Sequence, residues 1–279
     1  MLKLKAYSKI NLGLEILFKR QDGFHELNTI FIRTCLADEL LFETNDNIII
    51  TSEPDLCIPQ EDNLVYKAAI ELKKHFPDTP GCKIKIIKNI PSGAGLGGGS
   101  SDAASALLGL TKIWNITSSD KLLFNIAKSL GSDVPFFLNE KCAIAQGRGE
   151  KLKYFNFKHP WWIVLIKPDI SISTSWAYQN LNLGSIQRTP SDLKSILTES
   201  FTKPNVLKKS IFNHFEESVF HKYQGIKDIK EILYSNGAIL SLLSGSGSTV
   251  FGLFESEKDS LSSVKQLNKC FTYICPPPQ

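Results

Sequence analysis

A chain of 279 residues, 42% hydrophobic and 22% charged, can bury a sizeable core as one large domain or two ordinary ones. Its net charge of +4 is spread along the whole length, which suits anionic small molecules and argues against a nucleic-acid surface. The strongly apolar runs, Trp161 to Ile166 and Ala238 to Leu243, are of strand length, so no membrane span is expected, and Met1-Leu2-Lys3-Leu4-Lys5 lacks the apolar block of a signal peptide. Six cysteines (35, 57, 82, 142, 270, 275) include no CxxC pair, and reduced cytosolic thiols, most of them buried, are expected.

Leu2 to Leu17 alternates, with Ile10, Leu12, Leu14 and Ile16 on one face and Lys9 and Asn11 on the other. A polar turn, Lys19 to Gly23, leads to Phe24-His25-Glu26-Leu27. Short strands are predicted at Ile30 to Leu36, Glu39 to Thr44 and Ile48 to Ser52, then a helix from Asn63 to Phe76 closed by Pro77 and Pro80. Lys83 to Lys88 alternates like a strand, and Ala103 to Leu108 reads as a helix. A further helix is predicted over Ser119 to Leu130, stopped by Gly131. Gly131 to Phe137 is expected to be a turn into an extended segment, because residues before proline avoid the helical region. A second cycle starts with the strand Trp162 to Ile166. Helices follow near Ser191 to Glu199, Asn213 to Val219 and Ile226 to Ser235. Two strands, Ile239 to Leu243 and Thr249 to Phe254, flank Ser244-Gly245-Ser246-Gly247-Ser248, and a helix over Ser260 to Leu267 and a short strand end the chain. Strands and helices interleave in both halves, so two α+β domains are expected, 1–156 and 157–279.

The most informative segment is Pro91-Ser92-Gly93-Ala94-Gly95-Leu96-Gly97-Gly98-Gly99-Ser100-Ser101-Asp102. Strand, glycine loop and helix start follow one another, an order that aims free N–H groups and a helix N-terminus at one point, as in phosphate sites. Gly93, Gly95 and Gly98 satisfy GxGxxG, but the acidic residue that a dinucleotide fold wants about twenty positions on is missing. Gly99 stands where a P-loop would carry lysine, and the companion motifs of protein kinases are absent. A ligand-free glycine turn is the bland alternative.

The loop resembles the ATP-binding segment of the GHMP kinases. Four more segments carry the resemblance in family order: Ser8-Lys9-Ile10-Asn11-Leu12, Asp22-Gly23-Phe24-His25-Glu26-Leu27, Leu130-Gly131-Ser132-Asp133-Val134-Pro135-Phe136 and Ser244-Gly245-Ser246-Gly247. The match is nearest the branch that phosphorylates the 2-hydroxyl of a cytidine diphosphate-linked methylerythritol in non-mevalonate isoprenoid biosynthesis. It implies a two-domain fold, with a nucleotide-binding N-terminal half, a ferredoxin-like C-terminal half and the active site between them. It implies ATP with magnesium, a cytoplasmic enzyme, and a monomer or weak homodimer that binds neither nucleic acid nor membrane.

Residue by residue, the resemblance places Lys9 and Asp133 at the γ-phosphate, Asp133 as base and Lys9 as its counter-charge, and lets Asn11 orient the substrate. Pro91 through Ser101 (Pro91, Ser92, Gly93, Ala94, Gly95, Leu96, Gly97, Gly98, Gly99, Ser100, Ser101) would hold ATP, with Asn63 and Lys88 at adenine. Ser101 is the nearest candidate magnesium ligand, or only a helix cap. Phe24 and Tyr178 would sandwich cytosine while His25 reads its edge; tyrosine is usual where Phe24 stands. Gly245 and Ser246 would approach the substrate and support the phosphate loop. Read without the resemblance, Lys9 is a strand lysine, Asp133 part of a helix-stop turn, Phe24 a packing residue and Gly245-Ser246-Gly247 a hairpin turn. His25-Glu26-Leu27-Asn28-Thr29 begins like a zinc motif, but Thr29 replaces the second histidine, so no histidine-built metal site is expected. The rivals are a mevalonate- or homoserine-type kinase, an NAD-dependent oxidoreductase resting on GxGxxG alone, and a nucleic-acid-binding module.

Overall fold

The alternating start of the chain becomes one long strand, β1 (Leu2–Lys19), which turns at Asp22-Gly23 into β2 (His25–Asn45). The protein is described by a computed structural model covering residues 1–182 and 188–278. Next come β3 (Ile49–Glu53), α1 (Leu64–His75), β4 (Gly81–Ile87), α2 (Gly98–Ile113), α3 (Asp120–Leu130), β5 (Cys142–Gly147) and β6 (Lys151–Phe155). The remainder is β7 (Trp162–Lys167), α4 (Thr174–Gln179), α5 (Leu193–Ser200), α6 (Pro204–Ser210), α7 (Phe215–Lys222), α8 (Gln224–Ser235), β8 (Leu240–Leu243), β9 (Val250–Phe254), α9 (Glu257–Val264) and β10 (Phe271–Cys275).

These elements form two compact units that interleave along the chain. One comprises Met1–Ser8, Leu36–Ser92 and Gly97–Glu140; the other comprises Lys9–Cys35, Gly93–Leu96 and Lys141–Gln279. In the first, β4 runs antiparallel to the Glu39–Asn45 part of β2 and parallel to β3. Small residues let α2 lie close to this sheet. A Cβ on Gly109 would stand 2.3 Å from the Phe42 ring, and Ala103, Ala104 and Ala106 are fully buried. Only glycine permits that approach. Helix α1 starts where Asn63 Oδ1 accepts the Val65 N–H, and α3 starts where Ser119 Oγ accepts the Leu122 N–H.

In the second unit, β5 pairs with Leu27–Phe31 of β2 and with β6. A separate antiparallel sheet has the order β10-β7-β9-β8, the ferredoxin-like arrangement. Its core joins Leu14 and Ile16 of β1 to Val164, Ile166, Phe215, Leu233, Val250 and Phe254. Burial of such side chains stabilises by about 1.5–3 kcal/mol each.

Two local expectations fail. The two strands predicted across Ile30 to Thr44 are one strand that continues through Ala37-Asp38. Val134–Leu138 is a 3-10 turn rather than extended, because Pro135 sits at its start, where a missing N–H costs nothing. Gly131 ends α3 as expected, its N–H bonded to the Ala127 carbonyl, with φ 172°, extended backbone open to any residue. Half the cysteines are buried rather than most: Cys82, Cys142 and Cys275 are buried, Cys270 partly so, and Cys35 and Cys57 exposed, all as free thiols. Burial pushes the Cys82 and Cys142 thiols up to about 11, which makes them inert at neutral pH.

Buried His159 gives the fold an acid sensitivity. Its ring stacks on Trp161, with centroids 5.9 Å apart, and Nδ1 lies 3.1 Å from the Trp161 carbonyl, to which it donates. Burial pushes its pKa down to about 4 from 6.5, against the smaller opposite effect of that hydrogen bond. The unfolded chain therefore binds the extra proton first, and stability present above pH 6.5 is lost as pH falls toward 4. A shift of this size corresponds to about 3 kcal/mol. Urea denaturation at pH 7 and pH 4.5 should show the wild type losing about 2–3 kcal/mol more than His159→Gln; equal losses would remove His159 from the account.

Candidate active site

The glycine loop is built from alternating left-handed residues, Gly93 (φ 62°), Gly95 (φ 74°) and Gly97 (φ 71°), the last capping α2. Its first half is stitched into the second unit. The Lys9 N–H donates to the Leu96 carbonyl (3.0 Å), the Thr249 N–H to Ala94 (3.2 Å) and Ser244 Oγ to Gly95 (3.0 Å). The Gly245-Ser246-Gly247 turn thus lies against the loop. A Cβ on Gly95 would sit 2.1 Å from the Ser244 carbonyl, whereas one on Gly93 would meet nothing. Gly93→Ala should therefore cost only the left-handed strain, about 1–2 kcal/mol, and Gly95→Ala distinctly more. Calorimetric melting of both variants tests this; equal shifts would mean that the Ser244 contact is not tight.

Beyond the loop, α2 opens with Gly98, Gly99, Ser100 and Ser101 in its first turn. Ser101 Oγ is buried and has no hydrogen-bond partner, and neither does Asp102 Oδ1. Two orphaned buried oxygens in the first turn of a helix that opens Gly-Gly-Ser-Ser fit a polyphosphate and its magnesium ion better than a closed structural turn.

Lys9 and Asn11 share one face of β1, and both are buried. Lys9 Nζ donates to Asn11 Oδ1 (2.5 Å) and lies 5.0 Å from the centre of the Phe31 ring. The Asn11 amide in turn donates to Thr29 Oγ (3.1 Å), and Thr29 Oγ to the Gly13 carbonyl. The chain of bonds fixes the amide's orientation and aims the ammonium. In the first unit, Asp133 stands half-exposed before the 3-10 turn, its carbonyl accepting the Phe136 N–H (3.2 Å). Buried Val134, Pro135 and Phe136 anchor that turn.

Lys88 takes a different place from the one expected of an adenine-binding residue. It is buried between two carboxylates, bonded to Asp38 Oδ2 and, at 2.8 Å, to Asp102 Oδ2. Asp38 Oδ1 also accepts the N–H groups of Asn89 (2.5 Å) and Ile90 (2.8 Å). The triad ties β2 to the segment entering the glycine loop and to the first turn of α2 leaving it. Burial alone would lower the Lys88 pKa, but Asp102 and Asp38 outweigh it and raise it. Burial also pushes the Asp102 carboxyl up to about 7, opposed by Lys88 and assisted by Asp38. Asn63 spends its side-chain oxygen on capping α1.

At the β1–β2 turn, Asp22 Oδ1 accepts the Phe24 N–H (3.1 Å) and Arg20 bridges Asp22 and Glu26. Phe24 is left 51% exposed. His25 stacks on Tyr178 at 4.9 Å and 19°, and Tyr178 meets Phe215 edge-on at 4.9 Å. The Arg148 guanidinium lies 4.5 Å from the Phe24 ring centre. Partial burial, then Lys19, lower the His25 pKa, favouring a neutral ring with one donor and one acceptor.

Comparison with known proteins decides the family. The model described as GHMP kinases N terminal domain matches residues 63–141, and GHMP kinases C terminal matches 198–271. The 4-diphosphocytidyl-2-C-methyl-D-erythritol kinase of Thermodesulfovibrio yellowstonii is 40% identical, covering 95% of this chain and 94% of that protein. The chain is a GHMP kinase. Its counterpart in Clostridioides difficile, named for the same activity, is 39% identical over 98% of this chain and 93% of its own length. A crystal structure of 4-(cytidine 5'-diphospho)-2C-methyl-D-erythritol kinase superposes with a TM-score of 0.85 at 32% identity, covering 98% of each chain. Homoserine kinase from Cytophaga hutchinsonii, at 16% identity and TM-score 0.70 over 97% of this chain and 94% of that one, shares the fold.

In this GHMP kinase the structure joins several expected residues in pairs: Lys9 with Asn11, His25 with Tyr178, and Gly245 with the loop at Gly95 and with Asn11, whose Oδ1 a Cβ on Gly245 would approach to 3.4 Å. Ser246 Oγ bonds Thr174 Oγ1 (3.0 Å), tying the turn to α4. Sequence reasoning missed Asp38, Asp102, Ser244 and Arg148. Arg148 had a signal: Gly147 (φ 72°) and Gly149 (φ 110°) flank it in a tight turn that presents a cation. Asp38 had none, since an aspartate within a strand pattern reads as a break.

Proposed function

We propose that this kinase transfers the γ-phosphoryl of ATP to the 2-hydroxyl of 4-diphosphocytidyl-2-C-methyl-D-erythritol, giving the 2-phosphate and ADP. The observation that carries the reading is identity near 40% over almost the whole length with kinases named for that substrate. The aromatic end supports it: an exposed Phe24 with Arg148 on its face, and His25 against Tyr178, are groups suited to a flat base bearing a diphosphate. The loop N–H groups from Gly93 to Ser100 and Ser101 Oγ would hold ATP and its magnesium ion, which would supply the electrophilic phosphorus. Asp133 accepts the proton of the tertiary hydroxyl as its oxygen bonds to phosphorus and the bond to the β-phosphate oxygen breaks. Lys9 neutralises the transferring charge, and Asn11 holds Lys9 and orients the hydroxyl. Lys88 positions the two ends of the loop rather than touching adenine. The enzyme is read as cytoplasmic and as a monomer or weak homodimer, and the division into domains 1–156 and 157–279 is proposed beside compact units that interleave along the chain; among the described residues no helix is long and apolar enough to cross a membrane.

Phe24→Ala and His25→Ala test the cytosine assignment. Losing one stacking ring is worth about 1–3 kcal/mol, so KM for the cytidine substrate should rise about 5- to 150-fold while KM for ATP stays nearly constant. Steady-state kinetics with each substrate varied in turn gives the answer. Unchanged KM for the cytidine substrate in both variants would sink the pocket.

A further inference from the structure

Within the second unit, a cavity of about 540 Å³ opens between the end of α4 and helix α7, lined among others by Trp176, Arg188, His214, Glu217, His221 and Lys222. That volume lies within the range of small-molecule sites. Trp176 and Tyr178 stand two residues apart on α4, roughly 200° around its axis, so this cavity faces away from the ring that meets His25. None of these side chains has a part in the phosphoryl transfer described above.

His214 carries an unmet demand. Its Nδ1 accepts the Ile16 N–H at 2.7 Å, which fixes a lone pair there. Any hydrogen on a neutral ring must then sit on Nε2. A charged ring would put a second hydrogen on Nδ1, against the Ile16 N–H. Yet Nε2 faces Nη1 of Arg188, and a guanidinium has donors only. In every reasonable protonation state two N–H groups oppose one another with no acceptor between them. Burial, followed by Arg188, lowers the His214 pKa, consistent with the neutral ring. What satisfies both donors is an oxygen carrying negative charge. Arg188 and Lys222 are the cations and Glu217 the acid of the lining, and Glu15 behind the ring also acts on His214, its carboxylate already engaged by Asn28 and Ser191. The Lys222 ammonium sits 4.3 Å from the centre of the Trp176 ring, marking the aromatic side of the cavity.

We infer that this cavity is a second ligand site, for a small oxyanion carried on an apolar or aromatic body, whose oxygen accepts from His214 Nε2–H and from Arg188 while the body lies beside Trp176. The cavity is larger than inorganic phosphate needs, which is why a body is assigned.

The probe is phenyl phosphate, titrated calorimetrically into the protein with its phosphate loop saturated by a non-hydrolysable ATP analogue. Saturable binding of one equivalent is expected, weakened at least about tenfold in Arg188→Gln, the scale of losing a charged hydrogen bond. Arg188 is exposed, so the substitution should leave the fold intact. Absence of saturable binding, or equal affinity in Arg188→Gln, would overturn the site. An independent reading uses ¹⁵N-labelled imidazole. Long-range ¹H–¹⁵N correlation should find His214 with its proton on Nε2 in the free protein, and that nitrogen should shift on adding phenyl phosphate. A proton on Nδ1, or no shift, contradicts the assignment.

Discussion

Replacing Asp133 by asparagine is expected to lower kcat by about 100-fold or more, the scale of losing a general base, with little change in ATP affinity. The amide keeps the size of the carboxylate and its place before the buried 3-10 turn, so Val134, Pro135 and Phe136 should still anchor the segment. What it cannot do is take the proton of a tertiary alcohol. Stopped-flow or calorimetric ATP binding, beside steady-state turnover, separates the two effects. Near-normal turnover in the folded variant would exclude Asp133 as the base and would move the search to another carboxylate.

Lys88→Met is expected to destabilise the protein by about 3–5 kcal/mol, because it strands two buried carboxylates without their cation. Asp38 is fully buried and Asp102 nearly so, and both meet the same ammonium. The Asp102 carboxyl already stands at about 7 through burial. A carboxyl raised in the folded state contributes stability that is complete below its unfolded pKa, near 4, and is lost as pH rises through the folded value. Without Lys88 the folded value of Asp102 should climb further, so the variant should lose more at pH 8 than at pH 5. Urea denaturation at both pH values measures this. If Lys88 instead served adenine directly, melting would barely change while ATP affinity fell, and that outcome would remove the triad as the support of the loop.

The sequence was most legible where chemistry forces residue type. The glycine loop had to be glycine: φ is positive at Gly93, Gly95 and Gly97, and Ser244 crowds Gly95. The helices with strong caps, α1 after Asn63 and α3 after Ser119, began where capping rules put them. Helix α4 went unread because six residues carry too little periodicity, although Ser173 caps it. The β5–β6 hairpin was hidden by small residues such as Ala143, Ala145 and Gly147, which carry little strand signal. The break placed between Leu36 and Glu39 in β2 has a sharper cause. Asp38 sits there fully buried within a strand, a position intelligible only once Lys88, fifty residues on, is seen to reach it. The same aspartate, with Asp102, engages the Lys88 ammonium that was expected at adenine. Pairing of Lys9 with Asn11 was readable from their shared strand face, whereas Arg148 over Phe24 depends on β2 and β5 being neighbours, which no local pattern encodes.

The most direct measurement of the central claim is ADP release in a coupled assay with ATP and, in turn, 4-diphosphocytidyl-2-C-methyl-D-erythritol, mevalonate and homoserine. Turnover is expected with the cytidine substrate and only background with the other two, since neither offers a base to Phe24, His25 and Tyr178. Turnover on mevalonate or homoserine that matched or exceeded turnover on the cytidine substrate would contradict it, leaving a GHMP kinase of another specificity.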